Sequence, residues 1–188
     1  MLNLEEKYKK EVIPAMMEKF GYKNPMAVPK IEKVVVNTCF GRMVADKSGE
    51  EQKKIENSTT QDISLICGQR SVLKKAKKSI AAFKLREGLN IGVACTLRRK
   101  RMYDFLDRLI HIVLPRSRDF RGIDSKGFDQ SGNLTIGMKE HITFPEILSE
   151  KARNIFGLEI TVVTNAKNKE KGIEFLKLMG FPIKPTNK

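Results

Sequence analysis

From Ile91 to Arg98 the chain alternates without a break: Ile91, Val93, Cys95 and Leu97 on one side, Gly92, Ala94, Thr96 and Arg98 on the other. A two-residue period sends successive side chains to opposite faces of a strand, so this strand is packed on one face only. Strands of a doubly wound parallel sheet are covered on both faces and read as continuous apolar runs. The alternation favours a two-layer α+β domain over that architecture. Lys30 to Asn37 is β-branched, Leu134, Ile136 and Met138 alternate, and Leu158 to Thr164 reads as a further strand. The Leu134 strand is expected as half of a hairpin.

The helical period falls between these strands. Leu4, Tyr8, Val12, Met16 and Phe20 recur every fourth residue, with Gly21 as a stop and Pro14 expected to kink or break the helix. Ile55, Thr59, Ile63 and Ile66 mark a helix from Ser48 to Cys67, capped by Gly68. Met102, Phe105, Leu106, Leu109, Ile110 and Val113 mark another from Lys100 to Leu114, with Pro115 ending it. Pro145 is expected to open a short helix ending near Gly157, and Asn168 to Met179 a last one closed by Gly180. Helices interleaved with half-buried strands predict an α+β fold: two layers, with a mostly antiparallel sheet covered by helices on one face. One domain is expected over 1–184, with protruding loops near 74–88 and 116–140 and a short tail at 185–188.

Composition narrows the function classes. In 188 residues, 40% are apolar and 31% charged, so a core can form and disorder throughout is excluded. No apolar run approaches the roughly 20 residues of a membrane-spanning helix, and the first residues carry no secretory signal, so the cytosol is expected. Cys39, Cys67 and Cys95 are isolated, with no metal-ligand spacing, and each is expected to be a small buried apolar residue. His111 reads as a partly exposed helix residue. His141 follows Glu140, weak grounds for acid–base chemistry. No phosphate-binding loop or nucleophile elbow occurs. Neither a cofactor, a metal site nor a catalytic residue is expected.

The charge is concentrated. The formal net charge is +14, and from Arg70 to Arg101 eleven basic residues stand against Glu87 alone. A Lys run is commonly a solvated face. Here the mutual repulsion is relieved by a polyanion, and phosphate backbone is the expected partner. A membrane surface is not expected, because Val72 to Ser79 supplies no apolar helix face opposite its lysines. The small face of Gly92, Ala94 and Thr96 has two readings, a packed helix or the close approach of an RNA. With 7% aromatic residues and no Trp, a base-stacking platform is not expected.

Longer motifs follow in order: Ala76-Lys77-Lys78-Ser79-Ile80-Ala81-Ala82-Phe83-Lys84-Leu85-Arg86, Thr96-Leu97-Arg98 leading to Arg101-Met102, and Pro115-Arg116-Ser117-Arg118-Asp119-Phe120-Arg121-Gly122. Gly132-Asn133 with Gly137, Phe144-Pro145-Glu146-Ile147 and Gly180-Phe181-Pro182 continue them. Together they resemble the bacterial form of the large-subunit ribosomal protein five family, from the first helix to about Lys184. The resemblance implies a curved antiparallel sheet and a structural protein of the cytoplasmic ribosome. It implies binding of 5S ribosomal RNA in the central protuberance, beside 23S ribosomal RNA and other proteins there. It also implies contact with peptidyl-site transfer RNA and a bridge to small-subunit protein thirteen.

On the matching positions, 5S RNA binding is implied for Asn37, Gln69 and Thr96, with Arg98 beside them. The transfer-RNA-facing loop carries Lys74, Lys75, Lys77, Lys78, Phe83, Lys84 and Arg86. The bridge corresponds to Asn133, Thr135, Gly137 and Lys139. Phe83 has two readings, a ring anchored in the core or one packed on RNA. The chain departs from the family's pattern at Thr38-Cys39-Phe40 before Gly41, at Leu89-Asn90, at Ala94 in place of a basic residue and at Arg99 in place of Gly. The rival functions are an RNA-binding module off the ribosome, such as a chaperone or regulator, and a nucleic-acid enzyme. For the enzyme, Asp104 and Asp107 are the nearest carboxylate pair, expected instead to pair with Arg101 and Arg108.

Overall fold

The computed structural model describes residues 3–45, 47–118, 120–147 and 154–184. Five strands, β1 (Ile31–Cys39), β2 (Val72–Lys75), β3 (Asn90–Leu97), β4 (Leu134–Met138) and β5 (Leu158–Thr164), form one antiparallel sheet in the order β2-β3-β1-β5-β4. The two-residue period holds in it. Val34, Val36 and Thr38 are buried in β1, while Lys33, Val35 and Asn37 are half-buried; β5 buries Leu158, Ile160 and Val162. One face is covered and the other remains partly open, the α+β arrangement that the alternation predicts.

The chain divides into two compact units. One comprises Met1–Val34, Leu97–Ile136 and Thr161–Lys188. Its core joins Leu4, Val12 and Met16 of the first helix, Met102, Phe105, Leu106, Leu109 and Val113 of the helix after β3, and Phe175, Leu176 and Met179 of the last helix. Tyr8 meets the edge of Phe175 at 6.0 Å, and Lys19 pairs with Glu174 at 2.6 Å. Gly132 (φ +85°) lies so near the last helix that a Cβ on Gly172 would stand 2.5 Å from the Gly132 Cα. Only a residue without a side chain fits there.

Neither proline breaks its helix. The first helix runs Leu4–Lys7, a π turn at Tyr8–Val12, and Ile13–Phe20, with Gly21 left-handed at its end. The helix after β3 runs Arg99–Arg108, a π turn at Leu109–Val113, and Leu114–Arg116. The Ile13 N–H reaches the Tyr8 carbonyl, and the Leu114 N–H the Leu109 carbonyl. Proline lacks an N–H and its ring crowds the carbonyl four residues back. A wider turn just before Pro14 and Pro115 gives the ring room, and the helix continues. Pro115 thus sits inside its helix rather than ending it.

The second unit comprises Val35–Thr96 and Gly137–Ile160. Its long helix, Gly49–Cys67, buries Ile55, Thr59, Ile63 and Ile66 and stops at left-handed Gly68, as its spacing predicts. A four-residue helix, Gly41–Val44, precedes it and carries no periodic signal. His141 is fully buried and stacked on Phe156, with ring centroids 3.9 Å apart and planes 7° from parallel. Cys67 and Cys95 are buried, but Cys39, at the end of β1, is exposed. Of the helix expected from Pro145 to near Gly157, residues 148–153 lie outside the described residues, as does the tail at 185–188, and 145–147 and 154–157 are turn and irregular chain rather than helix; His141–Thr143 is a short 3-10 turn. The 116–140 stretch contains β4 and is tied down by an Ile123–Ile183 bridge and a Phe128–Leu134 bridge.

Candidate nucleic-acid interface

The basic segment begins on an edge strand. β2 pairs antiparallel with β3, Val72 opposite Ala94, Leu73 opposite Val93 and Lys74 opposite Gly92, with an irregularity between Lys74 and Lys75. Lys74 and Lys75, expected in a loop, are therefore strand residues. Four residues with two exposed lysines show no apolar alternation, which hides an edge strand from its sequence.

Beyond β2 the chain forms an ordered excursion. The Ala76 N–H donates to the Leu89 carbonyl at 2.8 Å, and the Gly88 N–H donates to the Ala76 carbonyl at 3.0 Å. Ile80 and Leu85 bridge around a 3-10 turn, Ala81–Phe83, and the Ser79 hydroxyl accepts the Glu87 N–H at 2.9 Å. Gly88 has φ +81°, the turn its position predicts. Lys77, Lys78, Lys84 and Arg86 all project into solvent. Phe83 does too, with 62% of its surface exposed. The core-anchored reading of Phe83 is thereby overturned: a three-residue turn around a single bridge has no interior for a ring.

The half-open sheet face of this unit carries Asn37 on β1 and Ala94 and Thr96 on the neighbouring β3, with Val72 and Lys74 on β2. Gln69, one residue beyond the Gly68 cap, donates from Nε2 to the Thr96 carbonyl at 3.2 Å. Gln69 and Thr96, far apart in sequence, are thus brought together, with Asn37 on the strand next to that of Thr96. Gly92 has a different cause. A Cβ there would stand 2.7 Å from the Thr38 carbonyl oxygen, so its smallness serves the packing of β1 on β3. The Thr38 hydroxyl in turn donates to the Gly157 carbonyl at 2.6 Å. Neither a packed helix nor an RNA is needed to explain Gly92; Ala94 and Thr96 remain half-exposed.

In the other unit, Arg98, Arg99, Lys100 and Arg101 open a helix and are all exposed. Arg99 has φ +55°, a conformation that glycine adopts without strain. The glycine that the resemblance leads one to expect would fit this backbone, and Arg99 adds a cation at the cost of local backbone strain. Thr135 and Gly137 are exposed along β4, and Lys139 just after it. Asn133 is engaged internally, its Nδ2 donating to Asp129 Oδ2 at 2.7 Å and its Oδ1 accepting the Thr164 N–H at 2.8 Å. Residues missed in the sequence, Arg42 and Lys47, stand near the excursion, lining clefts with Lys84. Their signal was weak, single cations in ordinary surroundings. His111 is exposed and meets Asp107 at 3.1 Å.

An open sheet face bordered by exposed cations, with no aromatic row across it, suits the backbone and shape of folded RNA. Such a surface fits the class of structural RNA-binding proteins. Residues 24–86 match the family described as ribosomal protein L5, and residues 90–183 match the C-terminus of that same ribosomal family. The large ribosomal subunit protein uL5 of Desulforapulum autotrophicum is 52% identical over 184 residues, covering 98% of this chain and 99% of that one. That of Geotalea daltonii is likewise 52% identical over 184 residues (98% and 99%), and that of Halothermothrix orenii 50% over 180 (96% and 97%). The chain belongs to the ribosomal protein L5 family. It is a structural constituent of the large ribosomal subunit, associated with ribosomal RNA in the cytoplasmic ribosome, and not an enzyme. Among the described residues, no helix is long and apolar enough to cross a membrane.

Proposed function

We propose that the half-open face around Asn37, Gln69 and Thr96 binds 5S ribosomal RNA in the central protuberance, and that Arg98, two residues further along the chain from Thr96, contacts the same RNA. One observation carries this reading: the Gln69–Thr96 bond joins two residues, distant in sequence, on a face where Asn37 stands on the next strand. Amide and hydroxyl groups there match the ribose and phosphate groups of a folded RNA. The excursion bearing Lys77, Lys78, Phe83, Lys84 and Arg86, with Lys74 and Lys75 at its base, serves a second RNA, the peptidyl-site transfer RNA. The exposed cations and the absence of a fixed pattern of base readers support a partner that arrives and leaves. Thr135, Gly137 and Lys139 form the side toward small-subunit protein thirteen, with Asn133 as its internal brace. 23S ribosomal RNA and the other proteins of the protuberance complete the surroundings.

Chemical footprinting of 5S ribosomal RNA with and without the protein tests the first assignment. Protection is expected with the native chain and reduced protection with the Asn37→Ala, Thr96→Ala double variant. Identical footprints would place the 5S RNA elsewhere.

A further inference from the structure

The turn that ends the excursion leaves its ring uncovered. Phe83 is 62% exposed and Ile80 43%. Adjacent exposed apolar side chains mark a surface that is covered in use. The surroundings indicate by what. Phe83 and Leu85 line a cleft of about 440 Å³ together with Cys39 and Ala45, and the cations Arg42 and Lys84 line it too. A second cleft, about 590 Å³, shares Ala45, Lys84 and Leu85 and adds Lys47 and Arg86. Among the described lining residues of both clefts there are four cations and no carboxylate.

An apolar slot beside a ring, flanked by cations and sharing three lining residues with a second basic cleft, is complementary to one repeating unit: a flat base between two phosphates. A base within a duplex is stacked and cannot enter. An acidic peptide also carries anions, but only a nucleotide chain repeats a planar ring and an anion in every unit. We propose that this cleft accepts a single unstacked nucleotide of a looped or single-stranded RNA, the base against Phe83 and the adjoining phosphates on Arg42 and Lys84. The proposal rests on the excursion being an RNA contact, and adds which feature of the RNA it holds.

Cys39 supplies a reporter, since it lines this cleft and is exposed while Cys67 and Cys95 are buried. The rate of Cys39 alkylation by N-ethylmaleimide, read by mass spectrometry on the full chain, is measured with a hexauridylate, a hexamer duplex, inorganic phosphate or hexaglutamate present. At saturating hexauridylate, alkylation should slow at least about fivefold in the native chain and in Phe83→Tyr. Phe83→Ala should need about tenfold more hexauridylate for the same protection, in line with the loss of one stacked base. The duplex and phosphate should leave the rate unchanged. Equal protection by the duplex, undiminished protection in Phe83→Ala, or protection by hexaglutamate alone would overturn the proposal; the last would assign the cleft to a protein. If Lys77→Ala with Lys78→Ala weakens hexauridylate binding while Phe83→Ala does not, the excursion remains an RNA contact and only the nucleotide cleft falls. If neither variant moves binding, both readings fall.

Discussion

The Gln69 side chain donates from Nε2 to the Thr96 carbonyl at 3.2 Å, joining the residue after a helix cap to the end of a central strand. Gln69 therefore has a structural duty that Asn37 and Thr96 do not share. Gln69→Ala should lower stability by about 1 kcal/mol, the usual net worth of such a bond, and weaken 5S RNA binding as well. Thr96→Ala and Asn37→Ala should leave stability within about 0.5 kcal/mol and cost roughly 1 kcal/mol of affinity each. Urea unfolding and 5S RNA titration at one salt concentration check both statements. Equal loss of stability in all three variants would make the face a packing surface.

The basic segment sets the salt dependence. If its exposed cations neutralise about five phosphates, log affinity for 5S RNA against log salt should have a slope near −3.5 to −4.5, between the single- and double-strand coefficients. A filter-binding series across salt concentrations measures it. A slope near zero would remove the electrostatic account.

What the sequence disclosed depended on how local each cause was. Gly21, Gly68 and Gly180 read as helix stops, and all three have positive φ, because a cap is decided within a few residues. The strands β3 and β5 were legible because one face of each is buried. Pro14 and Pro115 misled, since a π turn depends on how neighbouring carbonyls rearrange rather than on residue type. β2 was invisible because its pairing to β3, not its own composition, makes it a strand. Within the interface the concentration of charge was evident. The exposure of Phe83 and Cys39 was not, since an isolated ring or thiol carries the same signal buried or free.

Gly172 provides a test of packing. Within a helix, Gly→Ala ordinarily stabilises by up to about 1 kcal/mol. Here the new Cβ would stand 2.5 Å from the Gly132 Cα and 2.6 Å from its carbonyl oxygen, both backbone atoms. Overpacking of this kind costs about 1–3 kcal/mol, so Gly172→Ala should be destabilising by roughly 1–2 kcal/mol net. An unchanged or raised urea midpoint would mean that the Gly132 turn yields freely.

His141 should give the protein a dependence on acid. Its Nδ1 accepts the Phe156 N–H at 3.4 Å, and its Nε2 lies 3.7 Å from Asp62 Oδ2. Burial holds the imidazole below its ordinary 6.5, with Asp62 pulling the other way. The unfolded chain then takes up the proton first as pH falls, so this stability is complete above 6.5 and declines below it. Burial also raises Asp62 above its ordinary 3.8, which acts in the opposite sense at lower pH. Between about pH 7.5 and about pH 5.5 the imidazole dominates. The urea midpoint should fall across this window in the native chain and change less in His141→Gln. Equal slopes would mean that His141 does not titrate with folding.

The two RNA surfaces should be separable. Lys77, Lys78 and Lys84 stand on the excursion, while Asn37, Gln69 and Thr96 belong to the sheet face and its adjoining cap. Replacing the three lysines with Ala removes charge from exposed positions and should leave the unfolding midpoint within about 0.5 kcal/mol of native stability. At moderate salt, screening reduces the long-range pull of these lysines on a partner held elsewhere. 5S RNA affinity of the free protein should then change less than about threefold, well below the loss expected if three direct phosphate contacts were removed. On the proposed assignment of the excursion to peptidyl-site transfer RNA, that RNA should dissociate faster from ribosomes carrying the triple variant. Loss of 5S RNA binding with unchanged transfer RNA dissociation would reverse the assignment, because the excursion would then be part of the permanent contact.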